Sequence, residues 1–482
     1  MGVHGSSWAF KATAQARWQH ASKFSADALK PKVAGVVAES LTRVPRVERP
    51  RSLNAIGAVA MAHLLRGGHE IRELEIPRDL DDCGLEALSK ALLAAAETDP
   101  DSRLQRLECS AFAVTGSEED YSLVRKVGHP PVSPVGVSML ASVAWHLTSL
   151  DVSGCHVKAA GASAIGKLLG LSSRLKTLLC ERCYVGDAGG ANLAEGLFDN
   201  KSLTLLSVAA NDIRGNGAWL LCTALCHNSG AQVSTLRLDE NPIGKRGWDG
   251  VCHLIAASKG LHTLDLRACG LHRANSASRL ARGLGAASAS LTSLSLSGNT
   301  LTEKPPMELV RALREMSNLR TLELSSCSLK NSGMLTMVDT DGFGLFASHS
   351  LQTLHLADND TEISHKLATE IAGAIRYNTV MQELTLGVNR FDASGAQELC
   401  AALVANSALT SIDVCTLAVL PDEERGCNAC WEGLAAQKKG ALAVHYFSYG
   451  SRSCACGRAD ECPAAMRFEA LVNVGRRYTE EE

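Results

Sequence analysis

Apolar residues recur along this chain in one short pattern, Leu-x-x-Leu-x-Leu-x-x-(Asn/Cys)-x-Leu, in which Val, Ile or Met sometimes replaces leucine. If the first leucine is repeat position 1, twelve copies start at residues 71, 104, 147, 175, 203, 233, 261, 291, 319, 351, 381 and 409. Successive starts are 28 to 33 residues apart, except for one interval of 43 residues. A period of this length indicates a repeat protein whose units stack to build one continuous core.

Each unit predicts a strand, a turn and a helix. The apolar residues at positions 4 and 6 alternate with polar residues, as in a short strand with one buried face. Apolar residues at helical spacing follow the turn, for example in GAWLLCTALCHNSG after Ile213. Because every strand returns through a helix on the same side, the strands must run parallel. We therefore expect an α/β fold, a right-handed solenoid with strands on a concave face and helices on a convex face.

The Asn or Cys at position 9 predicts a buried column beside the strands. An Asn amide there can pair with backbone groups that the turn leaves without partners, and Cys fills the same space as a small, weak donor. Replacing Asn241 by Leu should therefore cost roughly 1–3 kcal/mol of stability. The predicted column consists of Asn211, Asn241, Asn299, Asn359 and Asn389 with Cys155, Cys183, Cys269 and Cys327.

Units of 28 to 30 residues with Asn or Cys at position 9 resemble the ribonuclease-inhibitor class of leucine-rich repeats. Repeats of this class also occur in NOD-like receptors and in Ran GTPase-activating proteins. The resemblance covers roughly residues 53–420 and implies a horseshoe-shaped solenoid. It implies no single function, because this scaffold carries many.

Three regions follow from the pattern. Residues 1–52 lack the repeat and hold nine Lys or Arg against three acids. They fit a partly disordered lead or cap, an acid-poor transit peptide, or, through Met1-Gly2 with Ser6, a minimal myristoylation pattern. Residues 53–420 form a solenoid of about twelve repeats, and residues 421–482 form a Cys-rich C-terminal cap.

Composition narrows the function classes. The formal net charge is -3 and 46% of the residues are hydrophobic, so no nucleic-acid partner is indicated. A stretch of about 18 apolar residues, which a membrane span requires, does not occur. The seventeen cysteines, without a secretory layout before them, predict reduced thiols and a cytoplasmic location.

The sequence offers no catalytic set, so we expect a protein that is not an enzyme and that needs no cofactor. The segment GASAIGKL at residues 161–168 approaches a phosphate-binding loop, but Leu168 stands where a hydroxyl must contact magnesium. The C-terminal cysteines are a weak zinc candidate, because a Cys-x-x-Cys with a Cys-x-Cys can supply four ligands. Those residues are Cys427, Cys430, Cys454 and Cys456; ordinary cap thiols are the favoured interpretation.

The concave face is the predicted binding surface. Positions 3, 5 and 7 point away from the core, and over the twelve repeats they hold ten acids against three bases, a net charge of -7. This charge favours a protein partner with a basic surface. We do not expect a small-molecule ligand. The candidate contact residues are Asp151, Arg237, Asp239, Asp265, Glu323, His355 and Asp413.

Three alternatives stay open. One is that the chain is the ligand-sensing part of a nucleotide-binding immune-type receptor. The resemblance to Ran-directed proteins implies GTPase activation, for which Arg182 is the candidate arginine. The 43-residue unit holds SEEDYS and GHPPVSP, and these predict a surface loop at residues 113–136 that is a second place for a partner.

Overall fold

A computed structural model describes most of the repeat region of the chain. The described residues are 132–271, 276–285, 290–301, 305–338, 344–414, 421–438 and 441–445, with the shorter pieces 73–75, 85–93 in part, 106–108, 112–117, 120–125, 447–448 and 453–454. Residues 1–52, with their myristoylation and transit-peptide patterns, lie outside these ranges. The chain divides into two compact units, Met1–Arg237 and Leu238–Glu482.

In the first unit, three-residue strands alternate with helices. Six of its strands pair in parallel, each with the next repeat's strand. The strands are β1 Glu73–Glu75, β2 Arg106–Glu108, β3 Phe112–Ser117, β4 Asp120–Arg125, β5 Ser149–Asp151, β6 Thr177–Leu179, β7 Leu205–Ser207 and β8 Thr235–Arg237. The helices are α1 Pro134–Val143, which continues as the 3₁₀ turn Ala144–His146, α2 Lys158–Leu171, α3 Gly186–Leu197 and α4 Gly215–His227.

The second unit repeats the arrangement. Its main strands are β9 Thr263–Asp265, β10 Ser293–Ser295, β11 Thr321–Glu323, β12 Thr353–His355, β14 Glu383–Thr385, β16 Ser411–Asp413 and β17 Ala443–His445, with the short β13 Glu362–Ile363, β15 Arg390–Phe391, β18 Phe447–Ser448 and β19 Ser453–Cys454. Its helices are α5 Gly244–Ala257, α6 Ser276–Gly285, α7 Met307–Glu315, α8 Lys330–Val338, the 3₁₀ turn Leu345–Ala347, α9 His365–Tyr377, α10 Ala393–Ala405 and α11 Pro421–Gln437. The pairs described between residues 147 and 414 are all parallel, so the predicted α/β repeat fold is confirmed in each unit.

The predicted strands lie where the pattern placed them. All twelve repeats form a strand at positions 3 to 5, and the cap adds β17, which pairs in parallel with β16. The leucines at positions 4 and 6, such as Leu264 and Leu266, are fully buried. Because successive strand residues point to opposite faces, positions 3 and 5 face away from the helices. None of the described helices combines the length and apolar content that a membrane crossing requires.

The position 9 asparagine of the first unit links two neighbouring repeats. Asn211 is 1% exposed. Its Oδ1 accepts the backbone N–H groups of Cys183 at 2.8 Å and Val185 at 3.3 Å, in the preceding repeat. Its Nδ2 donates to the carbonyl groups of Cys180 at 2.6 Å and Ala209 at 3.0 Å. One amide therefore satisfies four backbone groups of two turns.

The same network recurs in the second unit. Asn299 Oδ1 accepts from the backbone N–H groups of Cys269 at 3.0 Å and Leu271 at 3.1 Å. Its Nδ2 donates to the carbonyl groups of Leu266 and Leu296, both at 2.8 Å. The predicted position 9 column is confirmed within each unit, since every member is at most 1% exposed. The remaining members are Asn241, Asn359, Asn389, Cys155, Cys183, Cys269 and Cys327.

The turns need this support because their backbone is strained. Ala210 and Asp212, on either side of Asn211, have φ angles of +52° and +53°. For residues with a Cβ this left-handed region costs roughly 1–2 kcal/mol each. The asparagine hydrogen bonds hold both residues there, so the strained turn and the buried amide depend on each other.

A second buried ladder of polar side chains, which the pattern did not predict, runs along the helix ends. Asn200 Nδ2 donates to the carbonyl of Leu169 at 2.7 Å, and its Oδ1 accepts from the backbone N–H of Leu203 at 2.8 Å. Asn406 likewise donates to the carbonyl of Ile375 at 2.7 Å. Each side chain donates to a carbonyl in the last turn of the helix of the preceding repeat, where the helix itself supplies few N–H partners. The Ile375 carbonyl also accepts the backbone N–H of Asn378 at 3.1 Å.

The 43-residue second repeat, in the first unit, departs from the prediction of a loop at residues 113–136. Strands β3 and β4 pair there as an antiparallel hairpin, from Phe112 opposite Arg125 to Ser117 opposite Asp120. Helix α1 begins at Pro134, where Ser133 Oγ accepts the backbone N–H of Gly136 at 3.1 Å. The β-branched and aromatic residues on both sides of the SEED segment favour this hairpin. The loop prediction rested on composition and did not take them into account.

The glycines of the near-miss phosphate loop have a packing role. Gly166 lies inside helix α2, and a Cβ on it would stand 2.2 Å from the carbonyl oxygen of Asn192 in α3. The same crowding occurs at Gly395 of α10, where a Cβ would stand 2.3 Å from the carbonyl oxygen of Ile363. Gly161 and Gly395 both stand at repeat position 15, and each lies within the first turn of its helix.

We predict that Asn211→Leu lowers the free energy of unfolding by about 3 kcal/mol or more, since it leaves several buried backbone groups without partners. Urea unfolding of the full chain measures the change. Asn216→Leu is the control, because Asn216 is exposed in the first turn of α4 and should change stability by less than about 0.5 kcal/mol. Similar effects at the two positions would contradict the role of the amide.

We also predict opposite effects for two glycine-to-alanine changes in the second unit. Gly395→Ala should destabilise by about 1–3 kcal/mol, because the new Cβ overlaps a backbone carbonyl. Gly373→Ala should stabilise by up to about 1 kcal/mol, because a Cβ at Gly373 of α9 meets nothing within 4 Å and Ala favours the helix. Thermal unfolding of both variants measures the two changes in stability. A loss of stability in Gly373→Ala would contradict the packing explanation.

Candidate functional site

The candidate contact residues lie at the last residue of each strand or just beyond it. In the second unit the strand register aligns position 5 of neighbouring repeats, from Asp265 opposite Ser295 to Thr385 opposite Asp413. Glu323 and His355 stand opposite each other between them. We call the side of the second unit formed by positions 3, 5 and 7 the strand face. The residues of its position 5 row are Asp265, Ser295, Glu323, His355, Thr385 and Asp413.

Three of these carboxylates are less exposed than side chains on a strand face that is open to water. Asp239 and Asp413 are 7% exposed and Asp265 is 8% exposed. Parallel strands lie about 4.8 Å apart, so side chains at one position of successive repeats cover each other. Glu323 and His355 keep an intermediate exposure and are the accessible centre of the row.

An arginine that we did not select as a contact residue neutralises part of the acidic row. Arg267 Nη2 lies 2.7 Å from Asp265 Oδ2 and 3.7 Å from Asp239 Oδ2. Its Nε donates to both Asp265 oxygens at 3.0 Å. Burial disfavours the charged guanidinium, but the carboxylates of Asp265 and Asp239 outweigh it and raise the pKa of Arg267. The sequence places positions 5 and 7 on one side of the chain, which brings these residues near each other but does not determine the contact.

Side-chain hydrogen bonds join two further pairs in the position 5 row. Ser295 Oγ donates to Glu323 Oε2 at 2.6 Å. His355 Nδ1 lies 2.7 Å from Thr385 Oγ1. Sequence reasoning named Glu323 and His355 but missed their partners Ser295 and Thr385, which looked like inert positions of the row. These bonds fix the orientation of both accessible side chains.

Two described acidic side chains of the first unit have structural partners. Asp151 is 4% exposed, and its Oδ1 accepts the backbone N–H of Ser153 at 2.9 Å. Glu181 is 5% exposed, and its Oε1 accepts from Ser207 Oγ at 2.5 Å. Arg237 is half-buried at the end of β8. The candidate GTPase-activating arginine, Arg182, lies in a turn with a φ angle of +55°.

Among the described residues, the strand face of the second unit is acidic. Across positions 3, 5 and 7 it holds five carboxylates against the single guanidinium of Arg267, a net charge of -4. The whole chain carries only -3. The five carboxylates are Asp239, Asp265, Glu323, Glu383 and Asp413.

The C-terminal cysteines that the structure describes are packed as thiols. Cys427 in α11 is 1% exposed and its Sγ donates to the carbonyl of Phe391 at 3.7 Å. Cys400 Sγ donates to the carbonyl of Cys430 at 3.4 Å, and burial raises the pKa of Cys400 to about 12. Among the described residues, no group of three His, Cys, Asp or Glu is placed to hold a metal ion. The zinc candidate also needs Cys454, of which β19 gives only the backbone, and Cys456, which lies outside the described residues.

Comparisons with known proteins agree with this geometry. Leucine-rich-repeat family models match residues 146–166, 290–311 and 315–338. The chain is 26% identical to the mouse ribonuclease inhibitor over 399 residues, which cover 71% of this chain and 83% of that protein. It is 28% identical to the pig ribonuclease inhibitor over 49% of this chain and 50% of that protein.

A third relative is the human NACHT, LRR and PYD domains-containing protein 13, with 25% identity over 67% of this chain but only 29% of that protein. Together with the parallel strand–helix units, these matches show a leucine-rich-repeat protein. Its repeats are of the ribonuclease-inhibitor-like class, which confirms the resemblance drawn from position 9. Proteins of this kind generally mediate protein–protein interaction and are generally non-catalytic.

We predict that Arg267→Met lowers the free energy of unfolding by about 1–2 kcal/mol, because it leaves two poorly hydrated carboxylates side by side. Arg214→Met is a matched control. Arg214 also binds the Asp two residues before it, with Nε 3.1 Å from Asp212 Oδ1, but both side chains are more than 60% exposed. Screening by water leaves little for that pair to contribute. Denaturant unfolding that shows an equal loss in both variants would contradict a structural role for Arg267.

Proposed function

We propose that this chain is a non-catalytic scaffold or sensor that binds a protein partner with a basic surface on the strand face of its second unit. The observation that carries the proposal is the concentration of charge: -4 over three rows of one unit, against -3 for the full chain. A surface of one sign raises the association rate of partners of the opposite sign. The names of the mouse and pig relatives state that they inhibit a ribonuclease, which is itself a protein.

The candidate contact residues differ in exposure, so we expect them to contribute to binding in different ways. Three of the carboxylates, Asp239, Asp265 and Asp413, are buried. They therefore act on a partner through their electrostatic field more than through direct contact. Glu323 and His355 are half-exposed and hydrogen-bonded in place, so they are the side chains that a partner reaches first. A side chain held in one orientation loses less entropy on binding than a free one. We place the centre of the interface on these two residues.

A cytoplasmic location fits the same interpretation. The eleven cysteines that the structure describes are thiols, and seven of them are buried. Burial raises the pKa of Cys183 well above its usual range, which keeps this thiol protonated and donating to the carbonyl of Val152 at 3.1 Å. Reduced structural thiols are typical of reducing compartments.

The test begins with an affinity pull-down on the full chain, which supplies a purified partner for kinetic measurements. We expect Glu323→Lys to slow association about three- to tenfold at about 50 mM salt, with the difference vanishing near about 0.5 M salt. Glu323→Gln keeps an acceptor for Ser295 and should show a smaller effect of the same sign.

Glu315→Lys is the matched control, since it makes the same charge change on the exposed side of α7, away from the strand face. It should leave the association rate close to that of the parent. If Glu323→Lys binds as fast as the parent at low salt, the strand face is not the binding site. The β3–β4 hairpin is then the next surface to test.

A further inference from the structure

Three large apolar side chains in the first unit project from the ends of consecutive helices. Leu171, the last residue of α2, is 83% exposed. Trp145, just after α1, and Phe198, just after α3, are each 39% exposed. We call these three residues the helix-end ridge. The repeat core does not account for them, because core positions of the same helices are almost fully buried.

The helix-end polar ladder holds the ridge together. Ser172 Oγ donates to the carbonyl of Trp145 at 3.0 Å, so the end of α2 is fixed beside Trp145. Asn200 Nδ2 donates to the carbonyls of Leu169 and Ser172, at 2.7 Å and 3.4 Å, which places Phe198 on the other side of Leu171. The three apolar side chains therefore stand in a row at one edge of the unit, on a rigid base.

The chain on either side of the ridge residues is rich in basic side chains. Lys167 lies one helical turn before Leu171, and the links from the helix ends to the next strands carry Arg174, Lys176 and Lys201. The acids at the same edge are Glu195 and Asp199, which gives four positive against two negative side chains. The edge thus combines projecting apolar groups with a positive rim, whereas the strand face of the second unit is acidic.

We propose that the helix-end ridge docks the protein on an anionic membrane surface. Tryptophan and other large apolar side chains lower their free energy at the boundary between headgroups and acyl chains. Lys and Arg near the surface add about 1 kcal/mol each through attraction to anionic lipids. Single side chains projecting from successive helix ends suit shallow insertion into lipid. A partner helix would instead insert its own apolar face into a groove of the protein.

Co-sedimentation of the full chain with vesicles tests the proposal. The probes are phosphatidylcholine vesicles and vesicles with about 30 mol% phosphatidylserine, each at about 50 mM and about 300 mM salt. We expect binding to the phosphatidylserine vesicles at low salt, and weaker binding at high salt. Leu171→Glu should lower the apparent affinity at least about tenfold, because it removes the most exposed apolar contact and adds a negative charge.

Tyr377→Glu is the matched control. Tyr377 is 82% exposed at the end of helix α9, so the change is the same in kind but lies outside the ridge. It should bind vesicles like the parent, and circular dichroism should show both variants folded. Failure of the parent to bind phosphatidylserine vesicles at low salt would overturn the proposal, and so would unchanged binding by Leu171→Glu. A ridge that binds a protein instead would give that first result.

Discussion

The buried amide at repeat position 9 is the interaction on which this architecture depends. A three-residue strand has too few backbone groups to hold its repeat against the next one, and the chain must then turn through a left-handed conformation. Asn211 and Asn299 each satisfy four backbone groups, two of them N–H groups of the preceding repeat. Stacking therefore proceeds through side-chain amides as much as through strand pairing. Cysteine can occupy the same position because its thiol donates to a carbonyl, as Cys183 does.

The short strand also shapes the strand face of the second unit. Because the turn begins directly after position 5 and successive repeats lie side by side, the side chains at positions 5 and 7 bond to each other and to those of the neighbouring repeat. Arg267 consequently lies on Asp265 and Asp239, and Ser295 lies on Glu323. The net charge read from the sequence is real, but much of it is buried or internally paired. In the interface that we propose, Glu323 and His355 form a narrow accessible centre with fixed geometry, and the buried carboxylates add a negative field around it.

The sequence predicted the structure correctly wherever a residue's distance along the chain from the repeat leucines determines its surroundings. Strand bounds, parallel pairing and the burial of Asn241 follow from position alone. The bonds of Arg267 depend on which rotamer a long side chain adopts, and spacing does not determine that. The helix-end ladder was missed for another reason. Asn200 and Asn406 stand three residues before position 1, but Asn228 stands five residues before it, so the ladder tolerates a shift that hides it from a periodic search.

Hydrogen exchange of the full chain tests the central claim most directly. The backbone N–H groups of Cys183, Cys269 and Cys327 lie in turns, where amides usually exchange fast, yet each donates to a buried asparagine Oδ1 at 2.8–3.0 Å. If position 9 holds the repeats together, these amides will exchange as slowly as those of the strands that precede them. Exchange as fast as in an exposed turn would show that the asparagine column does not hold the stack.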